Sequence, residues 1–89
     1  MTDNLVGHRV RSRNDEGFVH FDGGLPGEEG SWLGVEWDDH SRGSHDGTHE
    51  GVRYFQPVSE SPTSSSFIRK TDVEDLGIAS RSVEVKLIV

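Results

Sequence analysis

The sequence contains no cysteine, which excludes a disulfide framework and a thiolate zinc site alike. It also has no long apolar run: hydrophobic residues, Gly not counted, make up 30% of the chain, and adding Gly still leaves it below the ~45–50% of ordinary globular domains. A membrane-spanning helix takes ~20 apolar residues, and no segment offers them. The opening MTDNLVGHRV lacks the basic start and apolar stretch of a secretory leader. A cytoplasmic protein that does not insert in a membrane is therefore expected. Basic residues are scarce too, with nine Lys and Arg against sixteen Asp and Glu and a net charge of −7. The imbalance is concentrated between residues 14 and 50, which hold ten acids and one Arg. A duplex nucleic-acid footprint needs clustered Lys and Arg to displace counterions, so nucleic acid is not an expected partner.

What is present points to a small β domain. Eighty-nine residues bury only ~60–65% of the surface of their unfolded chain, so the core must be thin. Eleven glycines exceed the ~7% average share and favour ordered loops over helices. Short runs rich in β-branched and aromatic residues recur as HRVRSR (8–13), GFVHF (17–21), WLGVEW (32–37), GVRYF (51–55) and SSFIR (65–69), separated by Gly, Asp, Asn, Ser and Pro. In WLGVEW, Leu33, Val35 and Trp37 share one face of a strand, and Trp32, Gly34 and Glu36 share the other. Trp37 is expected in the core, and one of the adjacent pair Tyr54 and Phe55 is expected to face inward. NDEG (14–17) is expected as a hairpin turn and DGGLPGEEGS (22–31) as a long loop. PVSESPTSSS (57–66) has the polar, Ser-rich composition of a mobile loop.

No window before residue 70 sustains apolar residues at helical spacing. The fold class is therefore all-β: a small barrel or sandwich of short antiparallel strands with long Gly-rich loops. Beyond residue 70 the pattern changes. TDVEDLGIA can start a short helix, with Thr71 as N-cap and Glu74 closing a capping box. SVEVKLIV then alternates Val83, Val85 and Leu87 against Glu84 and Lys86. That tail is either a last strand on the same domain or the start of a longer chain.

The densest chemistry lies in RGSHDGTHEG (42–51). His40, His45 and His49, with Asp38, Asp39 and Asp46 nearby, invite a metal reading, but their spacings match no zinc signature and their Gly and Ser neighbours make a turn. Ser44, His45 and Asp46 are the residue types of a catalytic triad, yet neighbours in a chain cannot hydrogen-bond in series as a triad requires. The pairs Glu28–Glu29 and Asp38–Asp39 lie in loops, without the burial that raises a carboxyl pKa for acid–base work. GSHDG lacks the Lys and following helix of a phosphate loop. Trp32 and Trp37 could stack bases, but they sit in the most acidic segment. No catalytic residue, metal or cofactor is expected. The remaining class is a recognition module, with glycines shaping the backbone, aromatics lining a groove and a few polar groups setting specificity.

Six blocks in order carry a resemblance. They are Gly7-His8-Arg9-Val10, Gly17-Phe18-Val19, Pro26-Gly27 with Trp32-Leu33-Gly34-Val35-Glu36, Gly43-Ser44-His45-Asp46-Gly47, Gly51 with Tyr54-Phe55, and Phe67-Ile68-Arg69. From Gly7 to about Val73 the chain resembles the CAP-Gly domain, whose signature loop reads Gly-Lys-Asn-Asp-Gly. The resemblance implies an SH3-like β-barrel over residues 1–73, followed by an extension over 74–89. Within the family the chain looks most like a tubulin-folding cofactor whose CAP-Gly domain stands at the N-terminus. It would then be an N-terminal piece of a longer, cytoplasmic and cytoskeleton-associated protein. The implied partner is the acidic-aromatic C-terminal tail of α-tubulin, ending Glu-Glu-Tyr, with other tubulin-folding cofactors as further partners. A microtubule plus-end adapter that reads tubulin or end-binding-protein tails is the alternative.

A terminal Tyr ring needs an apolar slot, for which Trp32, Phe55, Phe67 and Leu25 are the candidates. Its carboxylate and the preceding Glu side chains need donors, for which Arg69, His45 and Ser44 are the candidates. Gly43, Asp46 and Gly47 are expected to shape the loop. One departure matters: the loop Lys of the family motif is Ser44 here, removing a charge-assisted contact worth ~1.5–3 kcal/mol when fully formed. Either binding is weaker than in Lys-containing relatives, or Arg42 and Arg53 compensate.

Overall fold

The computed structural model describes residues 3–79, so the alternating segment at 82–89 lies outside the described residues. Seven strands follow in order: β1 (His8–Ser12), β2 (Asp15–Gly23), β3 (Trp32–Trp37), β4 (Thr48–His49), β5 (Val52–Arg53), β6 (Ser65–Arg69) and β7 (Glu74–Ile78). Five of them form one antiparallel sheet in the order β6-β3-β2-β1-β7, and β4 pairs with β5 in a small second ladder. The fold is all-β, as the spacing of the short apolar runs requires.

Period-two alternation sets the inner face. Val10, Val19, Leu33 and Val35 are fully buried and Trp37 is 1% exposed. Leu5 joins them, with Ile68 and Val73 packed alongside. Trp37 is a core residue, as expected, and its indole N–H donates to Ser66 Oγ at 3.0 Å.

Three local expectations give way to tertiary constraints. The β1–β2 turn is Arg13–Asn14, because Ser12 already pairs with Asp15. Gly17 is thus part of β2 rather than of the turn; a Cβ there would lie 2.5 Å from Val35 Cγ1, so the glycine serves close strand approach. The segment after residue 70 makes only a 3-10 turn, Lys70–Asp72, with no side-chain cap. Glu74–Ile78 then becomes an edge strand on β1, with Arg11 opposite Glu74 and His8 opposite Ile78. An open ladder on β1 outweighs the capping-box signal, and Gly77 at φ 96° fits the register shift there and not a helix. The Ser-rich segment is also tied down: Ser64 and Ser65 are fully buried, and Ser61 and Thr63 hydroxyls both donate to the His40 carbonyl.

A bulge in β2 prepares the outer face. Val19 pairs with Val35 but Phe21 pairs with Gly34, so His20 is an extra residue in the ladder. Strict alternation would point Phe21 inward with Val19. Instead it joins an outer aromatic layer, 5.3 Å from the Tyr54 ring and 5.8 Å from Phe67. That layer lies over Gly34, where a Cβ would meet Phe55 Cε1 at 2.4 Å.

Candidate functional site

The loop from residue 38 to 47 closes over this aromatic layer because its backbone is stitched to β6. Gly43 N–H donates to Thr63 O at 2.9 Å, and the amides of Ser44 and His45 both donate to Ser65 O. Gly43 lies so close to Ser65 that a Cβ would sit 2.3 Å from the Ser65 carbonyl oxygen. Gly47 adopts φ 98°, and a Cβ there would meet Phe55 O at 2.1 Å. Asp46 Oδ1 accepts the Thr48 amide at 3.2 Å, which fixes the turn between them. Gly43, Asp46 and Gly47 thus lie in the tight part of the loop.

His45 is held by the same turn. Its Nδ1 accepts the Gly47 amide at 2.9 Å, so the neutral ring carries its proton on Nε2. Nε2 is buried and has no hydrogen-bond partner among the described residues. Burial pushes the imidazole below its ordinary pKa and the neighbouring His49 adds to this, against a smaller opposing pull from Asp46. His45 is therefore a neutral, orphaned N–H donor, of a kind that costs about 1–3 kcal/mol to leave unpaired.

Beside it runs a shallow cleft of about 240 Å³ lined by Leu25, Glu28, Trp32, Ser44, His45, His49 and Phe67. It is smaller than the ~300–1,000 Å³ of a typical cofactor pocket and suits one or two side chains. Phe55, only 9% exposed, packs edge-on to His45 and Phe67 and stacks on His20 at 5.2 Å. It supports the cleft from beneath. His20 in turn contacts Glu36 at 2.8 Å. Glu36 also accepts the amides of Val58 and Ser59 at 2.9 and 2.7 Å. Burial alone would raise the Glu36 carboxyl, but the Val58 amide, His20 and the Ser59 amide together hold it below its ordinary pKa.

Of the residues expected in a ligand site, Trp32, Ser44, His45 and Phe67 come together in the cleft lining, as does Leu25. Arg69 does not line it. Its guanidinium lies over the Trp32 ring, 4.5 Å from the centroid, and donates to Glu29 O at 3.1 Å. The Trp32 indole N–H donates to the same carbonyl, so Arg69 braces the Trp32 wall. Arg42 and Arg53 do not line the cleft either. Arg42 pairs with Asp15 at 2.6 Å and covers Trp37, while Arg53 donates to the carbonyls of Asp46 and Phe55.

His49 and Phe21 are contributors that sequence reasoning passed over. In the sequence His49 reads as one more loop histidine, although Thr48–His49 followed by Glu50-Gly51 and Val52–Arg53 is a short hairpin that turns its side chain to the cleft. The bulge that redirects Phe21 left no mark in the sequence. Among the described residues no group of three or more His, Cys, Asp and Glu is arranged to hold a metal. His40 stands apart from His45 and His49, with its Nδ1 against Ser59 Oγ. A larger hollow of about 630 Å³ lies elsewhere, between Arg13, Arg42 and Asp72. It has no aromatic wall, and Arg42 is already paired with Asp15.

The chain is 49% identical over 69 residues to tubulin-specific chaperone E of Danio rerio, covering 78% of this chain and 13% of that protein. It is 45% identical over 73 residues to the Homo sapiens protein of the same name, covering 82% of this chain and 14% of the relative. It thus spans about one-seventh of the length of the curated relatives it matches. Among solved structures it resembles the Bik1 CAP-Gly domain with ETF peptide from Bim1, at a TM-score of 0.65 and 28% identity, covering 76% of this chain and 80% of that one. The family model of the CAP-Gly domain matches residues 6–73, and the chain belongs to that family.

Proposed function

We propose that this chain is the non-catalytic, tubulin-binding module of a tubulin-folding cofactor. It captures the acidic-aromatic C-terminal tail of α-tubulin, of the Glu-Glu-Tyr type, during assembly or disassembly of the αβ heterodimer. It works in the cytoplasm in association with the cytoskeleton, beside other tubulin-folding cofactors. The observation that carries this reading is the composition of the cleft. Leu25, Trp32 and Phe67 give apolar walls for one aromatic ring, and Ser44, His45 and His49 give polar groups for a carboxylate.

The relatives named tubulin-specific chaperone E support the tubulin context. The solved Bik1 domain with its ETF peptide supports peptide capture. That likeness also favours a second reading, a microtubule plus-end adapter that binds tubulin or end-binding-protein tails. The higher identity to chaperone E ranks the cofactor first.

The test is a titration of the chain with a peptide ending Glu-Glu-Tyr and with the same peptide lacking the Tyr. Loss of the Tyr is expected to abolish binding, and Trp32→Ala to weaken it by at least ~1 kcal/mol. Equal binding of the two peptides would defeat the groove reading.

A further inference from the structure

The cleft presents a charge problem. Its proposed ligand is an acidic peptide terminus, yet among the described residues neither Lys nor Arg lines it. Among the described residues the neighbouring cations are engaged: Arg42 with Asp15, Arg53 with Asp46 and the Phe55 carbonyl, Arg69 with Trp32 and the Glu29 carbonyl. Lys70 is held by Asp22 at 2.7 Å. Releasing any of them would sacrifice contacts within the fold. His45 does not supply the charge, since its Nδ1 is occupied by the Gly47 amide and burial favours its neutral form.

His49 is different. It lines the cleft, its side chain is 39% exposed, and its nearest acid, Glu50, is 82% exposed and 3.7 Å away. The Phe67 ring stands 5.5 Å from it, and the His45 and Tyr54 rings each 6.5 Å. Glu28 is the other acid on the cleft lining. An exposed contact with Glu50 is worth little and is readily exchanged for a ligand carboxylate.

We infer that His49, as imidazolium, receives a carboxylate of the captured peptide terminus and supplies the positive charge absent at Ser44. This rests on the reading of the cleft as a peptide groove. Histidine is the side chain that changes charge between about pH 5 and 8, whereas carboxylates stay ionised throughout that range. Capture of an acidic terminus therefore tightens as pH falls, which a Lys-based site would not show.

The experiment measures the affinity of the 89-residue chain for the Glu-Glu-Tyr peptide at about pH 5.8 and about pH 7.8, with the Tyr-less peptide alongside. Binding is expected to be about fivefold tighter at the lower pH, the scale of one half-exposed ion pair. His49→Gln should flatten this to under about twofold. His49→Lys, charged throughout, should hold the tighter affinity at both pH values. Tyr-dependent binding that is flat with pH, or a pH dependence that survives His49→Gln and so belongs to His45 or His20, overturns the role of His49 and leaves the groove standing. Equal affinity for the Tyr-less peptide overturns both.

Discussion

Replacing Glu36 by Gln keeps the size of the side chain but removes its charge and one acceptor oxygen. Glu36 is 8% exposed and accepts from three groups. Oε1 faces the Val58 amide at 2.9 Å and His20 Nε2 at 2.8 Å, and Oε2 faces the Ser59 amide at 2.7 Å. Whichever way the Gln amide is turned, its NH2 meets one of the two backbone N–H groups, and that donor loses its partner. An unpaired donor costs about 1–3 kcal/mol, and hydrogen bonds to a charged acceptor are worth about 1.5–3 kcal/mol each. Part of the loss is recovered because the loop borders solvent, so about 2 kcal/mol is expected. For a domain of this size that lowers Tm by roughly 8–16 °C.

The pH dependence has a definite sign. The folded Glu36 carboxyl titrates below its ordinary value, so its stabilising effect is complete above ~4.3, the value in an unfolded chain. The effect disappears as pH falls through the lower, folded value. Wild type and Glu36→Gln should therefore differ most near neutral pH and converge in acid. Thermal unfolding followed by circular dichroism between about pH 7 and 3.5 measures both. A Tm change under about 2 °C, or a gap that does not narrow in acid, would refute the view that Glu36 pins the 57–59 segment as a carboxylate.

Two further outcomes follow from the loop. Gly47→Ala drives a Cβ to 2.1 Å from Phe55 O at φ 98°, and should cost at least ~2 kcal/mol in chemical denaturation; a change below ~0.5 kcal/mol would mean the loop can shift freely. Ser44→Lys, at an exposed position on the cleft, should tighten binding of the Glu-Glu-Tyr peptide by roughly three- to tenfold and steepen its salt dependence. No change in either would mean that residue 44 does not touch the ligand.

The sequence by itself determined the all-β class, since period-two runs such as Leu33, Val35 and Trp37 place apolar side chains together on one face, and their burial follows. It also determined the family, because glycines such as Gly43 and Gly47 mark backbone geometry that side chains would obstruct. Tertiary structure decided what depends on partners distant in the chain. The surplus of acids between residues 14 and 50 is partly met from outside that segment, Glu16 pairing with Arg11 and Asp22 with Lys70. The capping-box signal at Thr71 and Glu74 gives way to an open strand edge on β1. The bulge at His20 turns Phe21 outward, and Arg69 goes to the Trp32 ring rather than to the cleft lining. Local pattern fixes which residues face inward where the ladder is regular, while the charge and shape of a cleft depend on bulges and on which side chains the fold has already engaged elsewhere.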